Sequence, residues 1–321
     1  MNILITSAGR RVSLVKAFKL ELNKIFPGGK VFTADLNPEL APACRISDGY
    51  FKIVRVTEHS YCDKLIEICL ANDIRMVIPT IDTELIPLAE GAPAFKEHGI
   101  NLIVSSIEMV RICRDKKKLF SFFDSIRFPR TEEADIDNTE FPVFMKPLHG
   151  SSSIGSMIIN DKVQLSEKLM LKEENLFLKY LSPEKFVEFT IDLYFDKFST
   201  LKCAVPRERI EVRTGEVSKA VTRRNEVYDI VCSVFSSCEG LRGCITLQVF
   251  KNKDTNDIVG IEINPRFGGG YPLSYIAGAN FPEYLIKEYL KNETIPYFEA
   301  WEKNMLMLRY DDEIIVHDYK G

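Results

Sequence analysis

The chain has 321 residues, which is more than one hydrophobic core usually supports, so two or three packed units are expected. Its 45% hydrophobic and 27% charged residues are typical of a folded globular protein rather than a disordered or fibrous one. The 42 basic and 46 acidic side chains give a formal net charge of -4, which disfavours nucleic acid as a partner.

The first residues of the chain predict a buried strand rather than a targeting signal. Their apolar run covers only residues 1–6 and meets Arg10 and Arg11 at once, unlike a signal peptide. No stretch reaches the roughly 18 apolar residues of a membrane span. We therefore expect a cytoplasmic protein with no membrane partner.

Cysteine and histidine usage argues against disulfides and transition metals. The eight cysteines form no CxxC pair, and several stand beside apolar residues, so free buried thiols are expected. The four histidines are widely scattered along the sequence. Any metal is therefore expected to be held by oxygen atoms.

The first third of the chain alternates short apolar runs with amphipathic stretches, which is typical of βαβ units around a parallel sheet. The predicted strands are residues 2–6, 30–34, 75–79 and 101–104, and the predicted helices are residues 11–25, 61–71 and 84–96. Gly9 follows the first strand and Asp35 closes the second, where dinucleotide-binding proteins carry a phosphate loop and a ribose-binding acid. Because the GxGxxG fingerprint is absent, a Rossmann-like fold is predicted without that cofactor.

Two further units are predicted after the first. A basic helix over residues 111–123 and the breaker Phe128-Pro129 mark a boundary. The small α+β unit that follows has predicted strands at 141–147 and 157–160 and a helix at 162–172. Strands then dominate, at 175–180, 186–195, 199–205, 216–221, 243–251 and 257–264, with helices at 223–237 and 282–290 and two short strands within 305–316.

The segment from Ile258 to Gly270 carries the strongest chemical signal. Strand alternation places Glu262 and Asn264 on one face, and Gln248 can lie opposite them if its strand pairs through the turn at 254–256. These three oxygen donors suit magnesium, which prefers octahedral oxygen coordination. Glu-x-Asn alone is common on half-exposed strands, but this strand continues into Pro265, Arg266 and three glycines, which an ordinary surface strand lacks.

A second segment has a lysine at the end of an apolar strand. Lys146 is followed by a loop, His149 to Gly155, whose serines and backbone amides can surround phosphates. The Walker pattern is absent, and a mobile surface loop with an extended lysine is an equally good interpretation of this segment alone. Lys116 lies in a charged helical run, which is usually a solvated face.

Taken in order, these segments resemble the ATP-grasp superfamily, and most of all one ATP-binding half of the carbamoyl phosphate synthase large chain. The resemblance implies an α/β plus α+β architecture: a Rossmann-like pre-ATP-grasp domain (residues 1–112) and a two-lobed ATP-grasp fold. The small lobe would span residues 113–178 and the large lobe residues 179–321.

The resemblance also implies roles for individual residues. The ATP-binding residues would be Lys116, Lys146, His149, Gly150, Ser151, Ser152, Ser153, Gly155, Lys179, Tyr180, Leu181 and Glu188. Two magnesium ions, for which manganese is an alternative, would be held by Gln248, Glu262 and Asn264. Arg266 and Arg207 would grip the acyl phosphate or carboxylate, although Arg207 fits a surface salt bridge almost as well.

Two positions depart from this pattern or leave it open. Where relatives often have a ribose-binding glutamate at the adenine hinge, this chain has Lys179, which cannot accept a hydrogen bond, so Glu184 is an alternative. After the strand at 75–79, Asp82 or Glu84 can hold an ammonium or cap the next helix, and we expect capping for Asp82.

The implied activity is attack of a carboxylate on the γ-phosphorus of ATP and capture of the acyl phosphate by an amine. Such a transfer depends on positioning and charge neutralisation, which suits a site of lysines, arginines and oxygen donors. Small-molecule carboxylate and amine substrates are expected, and a homodimer is compatible with the resemblance. The alternatives are a nucleotide-binding regulator without catalysis and an NAD(P)-dependent oxidoreductase.

Overall fold

The computed structural model describes residues 1–135, 140–148, 155–169, 174–213 and 215–319. They form three sheets: a five-stranded, a three-stranded and a six-stranded one. The predicted loop residues His149, Gly150, Ser151, Ser152 and Ser153 lie outside the described part of the chain. No helix in the described ranges is long and apolar enough to cross a membrane.

The amino-terminal domain is a parallel sheet with helices packed on it, as predicted. Its strands are β1 (Asn2–Thr6), β2 (Val31–Asp35), β3 (Gly49–Lys52), β4 (Ile74–Ile78) and β5 (Asn101–Leu102), in the order β3-β2-β1-β4-β5. Its helices are α1 (Val12–Ile25), α2 (Pro42–Arg45), α3 (Tyr61–Ala71), α4 (Leu85–Glu97) and α5 (Ile107–Arg114). The short β3 was not predicted because its residues alternate between half-buried and exposed without a strong apolar run.

The turn after β1 folds back on β2. The Gly9 N–H donates a hydrogen bond of 3.0 Å to Asp35 Oδ2, and the Asn37 N–H donates one to Oδ1 of the same carboxylate. Both oxygens of Asp35 therefore bind backbone of their own domain. That arrangement disfavours the ribose-binding role considered for Asp35 in a dinucleotide-binding protein.

The small lobe contains α6 (Lys116–Ser125), β6 (Val143–Pro147), β7 (Met157–Ile159), α7 (Lys162–Leu169) and β8 (Asn175–Lys179), with strand order β7-β6-β8. The prediction of one helix over 111–123 was wrong. α5 ends at Arg114 and α6 begins at Lys116, because Asp115 caps the second helix by accepting hydrogen bonds from the N–H groups of Lys117 and Lys118.

The large lobe is a six-stranded antiparallel sheet. Its elements are β9 (Phe186–Phe195), β10 (Leu201–Arg213), β11 (Glu216–Thr222), α8 (Glu226–Val234), β12 (Gly243–Asn252), β13 (Ile258–Asn264), α9 (Tyr271–Ile276), α10 (Phe281–Leu285) and β14 (Leu306–Leu308). The strand order is β13-β12-β9-β10-β11-β14. β10 runs eight residues beyond its predicted end, because its exposed second half pairs with β11.

The end of the chain differs from the prediction in two respects. The helix predicted at 282–290 is α10 followed by a π-helical turn at Ile286–Leu290. Of the two strands predicted within 305–316, only β14 forms. Residues 309–316 make no regular element and most of their side chains are exposed, so strand pairing would bury little apolar surface there.

A single apolar core joins the amino-terminal domain to the large lobe. Ile3 and Phe18 of the first domain belong to the same buried cluster as Ile245 and Phe267 of the large lobe. The rings of Phe18 and Phe267 meet edge to face with centroids 5.9 Å apart. All eight cysteines are free and six of them are buried, as predicted.

Candidate active site

The predicted oxygen donors lie together on the β12–β13 ladder. Gln248 is directly opposite Glu262, and Thr246 is opposite Asn264. The turn between the two strands thus produces the pairing that the sequence suggested. Gln248, Glu262 and Asn264 all line one cavity of about 510 Å³ between the large lobe and the amino-terminal domain.

The small lobe brings Lys146 against this face. Lys146, near the end of β6, donates a hydrogen bond of 2.6 Å from Nζ to Glu262 Oε2, and 20% of the Glu262 side chain is exposed. Burial acts to raise the pKa of Glu262, but Lys146 and Lys116 outweigh it and hold that pKa below its ordinary value. Glu262 is therefore ionised at neutral pH and available to a cation.

Lys116 lies beside the same pair. It is the first residue of α6, is only 7% exposed, and donates from Nζ to the Leu148 carbonyl at 3.1 Å. Burial, followed by repulsion from Lys146, lowers the pKa of Lys116 to about 8. The helical charge run therefore is not only a solvated face: one of its lysines points inward.

The donor set fits a hard cation. It consists of one carboxylate and two side-chain amides, with no thiol or imidazole. No cluster of three or more His, Cys, Asp or Glu that could hold a metal occurs in the part of the chain that the structure describes. Three protein oxygens leave coordination positions for water and phosphate, as magnesium sites usually do.

The proposed hinge residues are at the edge of the small lobe. Lys179 ends β8, is exposed and forms an ion pair with Glu132, while Tyr180 and Leu181 are half-buried and Glu184 is exposed. Gly155 has a positive φ of 79°, and a Cβ there would lie 3.0 Å from Pro147 Cγ. The assignment of these residues to ATP stays a prediction.

Glu188 lies on β9 and lines the same cavity as the oxygen donors. Its carboxylate forms an ion pair with Arg209 of β10. Burial raises the pKa of Glu188 above its ordinary value even with Arg209 beside it. The sequence did not single out Arg209, although its strand position two residues after Arg207 places both on one face.

Arg266 forms an ion pair that the sequence did not predict. Its Nη2 donates to Asp82 Oδ2 at 2.6 Å, so Asp82 does not cap a helix. Glu84 accepts from the backbone N–H groups of Thr80 and Ile81 instead. The expectation for Asp82 was wrong because the turn before Glu84 directs its side chain across the cavity toward the large lobe.

Arg207 is not in a surface salt bridge but fully buried. Its Nε and Nη2 donate to Asp192 at 2.7 and 3.0 Å, and both side chains are 0% exposed. Ser274 Oγ donates to Asp192 at 2.6 Å, while Nη1 of Arg207 has no hydrogen-bond partner among the described residues. Asp192 was missed, although it shares the face of Glu188 by strand alternation.

Comparison with known proteins agrees with this architecture. A family model described as "PylC-like, N-terminal domain" matches residues 3–103, and one described as "ATP-grasp in the biosynthetic pathway with Ter operon" matches residues 172–311. Residues 172–311 therefore match an ATP-grasp family model, in agreement with the resemblance stated above. This second match covers the β12–β13 ladder and Arg266.

Two curated proteins illustrate the sequence similarity. The arginine-specific carbamoyl phosphate synthase large chain of Bacillus subtilis is 25% identical over 236 residues, 63% of this chain and 23% of that protein. The 3-methyl-D-ornithine–L-lysine ligase of Methanosarcina mazei is 31% identical over 140 residues, 44% of this chain and 35% of that protein. The matches thus cover well under half of these relatives.

Solved structures share the fold. The biotin carboxylase domain of 2-oxoglutarate carboxylase from Hydrogenobacter thermophilus, described with MgADP and bicarbonate, superposes with a TM-score of 0.74 at 12% identity, over 95% of this chain and 73% of that one. N5-carboxyaminoimidazole synthetase from Staphylococcus aureus complexed with ADP gives 0.68 at 19% identity, over 96% and 79%.

Proposed function

We propose that this protein is an ATP- and magnesium-dependent ligase that activates a carboxylate as an acyl phosphate and passes it to an amine. The observation that carries the proposal is the face formed by Gln248, Glu262 and Asn264, with Lys146 bonded to its carboxylate. A face of oxygen donors beside a lysine suits a metal–triphosphate complex. The ligase named among the relatives supports the same reaction class.

The proposed roles of the side chains follow from their charges. Lys146 and Lys116 would hold the phosphates, while Gln248, Glu262 and Asn264 would bind magnesium, which neutralises phosphate charge when present. Arg266, fixed by Asp82, would face the carboxylate. Phosphorylation of the carboxylate releases ADP and needs no general base, because the carboxylate is already ionised. A neutral amine would then displace phosphate from the acyl phosphate and lose one proton.

Several finer assignments are part of the proposal. The nucleotide would also contact Glu188 and the hinge at residues 179–181, and Arg207 would act on substrate only through its unpaired Nη1. The division into residues 1–112, 113–178 and 179–321 places its first boundary inside α5 and its second at the last residue of β8. A homodimer is testable by light scattering on the purified chain.

A screen for ADP release tests the activity. Purified full-length protein is incubated with ATP, magnesium and pairs of carboxylates and amines, and products are identified by mass spectrometry. We expect release that depends on both substrates and falls by about 10²–10³-fold in Glu262→Gln, because a charged ligand becomes neutral. Glu211→Gln, an exposed carboxylate of β10, is the matched control.

Two outcomes would count against the proposal. If Glu262→Gln retains full turnover with the true substrates, the metal assignment is wrong. If the protein binds ATP but releases no ADP with any pair, the regulatory alternative gains support; retention of Gln248, Glu262 and Asn264 together currently disfavours it.

A further inference from the structure

The crevice between the amino-terminal domain and the large lobe contains a guanidinium without a partner. Arg11 is the residue before α1, and its side chain forms no hydrogen bond or ion pair within the described residues. Burial, and then repulsion from Arg266, lowers the pKa of Arg11 to about 10. Glu216 and Asp82 attract Arg11 but are each bonded to another arginine, so an anion from outside the chain would be stabilised here.

The charges around Arg11 are otherwise paired. Arg266 is bonded to Asp82 at 2.6 Å, and Arg309 is bonded to Glu216 at 3.0 Å. These four groups are the charges that act most strongly on Arg11. Three guanidinium groups and two carboxylates leave one positive charge in excess, and Arg11 is the guanidinium without an ion pair to either carboxylate.

Arg11 is also accessible from two adjoining cavities. It lines the 510 Å³ cavity that contains the oxygen donors and a second cavity of about 190 Å³ beside the start of α1. Gly269 lines both, and a Cβ on it would lie 3.0 Å from Arg11 Nη1 and 3.1 Å from the Glu216 carboxylate carbon. A side chain at Gly269 would therefore crowd Arg11 and Glu216 where the two cavities share their lining.

The position of Arg11 in the sheet favours a ligand. From β1 the chain adds β2 and β3 on one side and then crosses to add β4 and β5 on the other, so the carboxyl ends of β1 and β4 border the point where the strand order reverses. Open α/β sheets bind ligands at such points. The first turn of α1 has no acidic residue and no side-chain cap, so its N–H groups also favour an anion.

We propose that Arg11 binds a carboxylate of the substrate that is not consumed in the reaction. The inference deepens the proposed ligase function, because the second cavity adjoins the site of carboxylate activation. Two substrate classes supply such a group: an amino acid, through its own carboxylate, and a dicarboxylic acid, through the carboxylate remote from the reacting one. Arg11 would then select substrates by charge at their far end.

Chemical modification of the full-length protein tests this inference without knowledge of the substrate. The neutral guanidine attacks the carbonyl carbons of phenylglyoxal, so the lowered pKa makes Arg11 react faster than exposed Arg75 of the same domain, which is paired with Asp73. Mass spectrometry then follows Arg11 with L-lysine, glutarate or 1,5-diaminopentane present. For a Kd of about 1 mM, a carboxylate probe at about 10 mM slows modification about tenfold.

The three probes separate the possible sources of the anion. Protection by L-lysine alone assigns an amino acid, and protection by glutarate assigns a dicarboxylic acid. The diamine, which has no carboxylate, should not protect. Modification of Arg11 at one rate with every probe, or equal protection by the diamine, would overturn the proposal.

A kinetic arm separates this inference from the ligase proposal. In the ligase assay, Arg11→Met should raise KM for the carboxylate-bearing substrate by about 100-fold and leave the Kd for ATP unchanged, because the proposed phosphate site is at Lys146. Arg11→Lys should recover part of the loss, and Arg75→Met should have no effect. Protection of Arg11 in a protein that never releases ADP would retain the subsite and refute the ligase function.

Discussion

Two ion pairs of this molecule have similar lengths but different surroundings. In the large lobe, Arg207 and Asp192 are sealed from solvent, and Ser274 supplies a further hydrogen bond to the carboxylate. In the cleft, Lys146 and Glu262 join two lobes and remain 14% and 20% exposed. The first pair is part of the core of one lobe, whereas the second can be exchanged for ligand.

The difference in exposure indicates which of the two ion pairs can open to bind a charged ligand. If the buried Arg207–Asp192 pair separated, each charge would remain buried without a counter-ion. The pair therefore stays closed and fixes the positions of both side chains. Opening a partly exposed ion pair costs less free energy, because water can solvate both separated charges. If Glu262 held a cation as proposed, the ammonium of Lys146 would be released from this pair and could bind phosphate.

The largest effect should come from the sealed pair. Asp192→Ala leaves Arg207 buried without a counter-ion and should lower the free energy of unfolding by about 3–5 kcal/mol. Urea denaturation followed by circular dichroism measures it. Glu211→Ala, which removes an exposed pair with Lys219, should cost less than about 1 kcal/mol. Equal losses of unfolding free energy in the two variants would contradict the distinction between buried and exposed ion pairs.

The next effect should come from the exposed pair. Lys146→Met removes the cation that we propose binds phosphate and should raise the Kd for ATP by about 10–100-fold, with a small change in stability. Isothermal titration calorimetry with a non-hydrolysable ATP analogue measures it. Lys219→Met, on an exposed position of β11, serves as the control. An unchanged Kd would remove Lys146 from the phosphate site.

A substitution that crowds the buried Arg207–Asp192 pair should lower the free energy of unfolding by an intermediate amount. A Cβ on Gly270 would lie 2.1 Å from Arg207 Nη1 and 2.7 Å from Val217 Cγ1, so Gly270→Ala forces the guanidinium to move. We expect a loss of about 1–3 kcal/mol in unfolding free energy. Combined with Asp192→Ala, the losses should not add, because both act on Arg207. Strict additivity would show that the two positions are independent.

The smallest effect concerns pH. Lys116, with its pKa lowered to about 8, is charged below that pH and neutral above it, so ATP affinity should decline as pH rises through 8. Between about pH 7 and pH 9 we expect the Kd to rise about 3–10-fold, with proton uptake on binding near pH 8. In Lys116→Arg the cation persists, so the decline should disappear. A decline of the same size in Lys116→Arg would exclude Lys116 as its cause.

The sequence predicted the fold well where local patterns determine structure. Alternating apolar runs identified β1, β2 and β4 together with α1, α3 and α4, because each buried strand is a continuous apolar segment. The break at Asp115 was missed because a side-chain cap can split a helix without disturbing its apolar periodicity.

The site was predictable only in part. Gln248, Glu262 and Asn264 could be placed together because strand alternation and one turn fix their face. The pairing of Arg266 with Asp82 and the position of Arg11 beside Gly269 could not be predicted. These residues are 184 and 258 positions apart in sequence and meet only because the two domains pack together. Long-range packing of that kind leaves no signal in local composition.

The edge-to-face contact of Phe18 with Phe267 has a consequence for dividing the chain. A cut near residue 112 would separate these rings and expose apolar surface on both fragments, since Ile3 and Ile245 belong to the same cluster. The amino-terminal segment is therefore a unit of topology but not an independent unit of folding. Fragments expressed separately should associate with each other or aggregate.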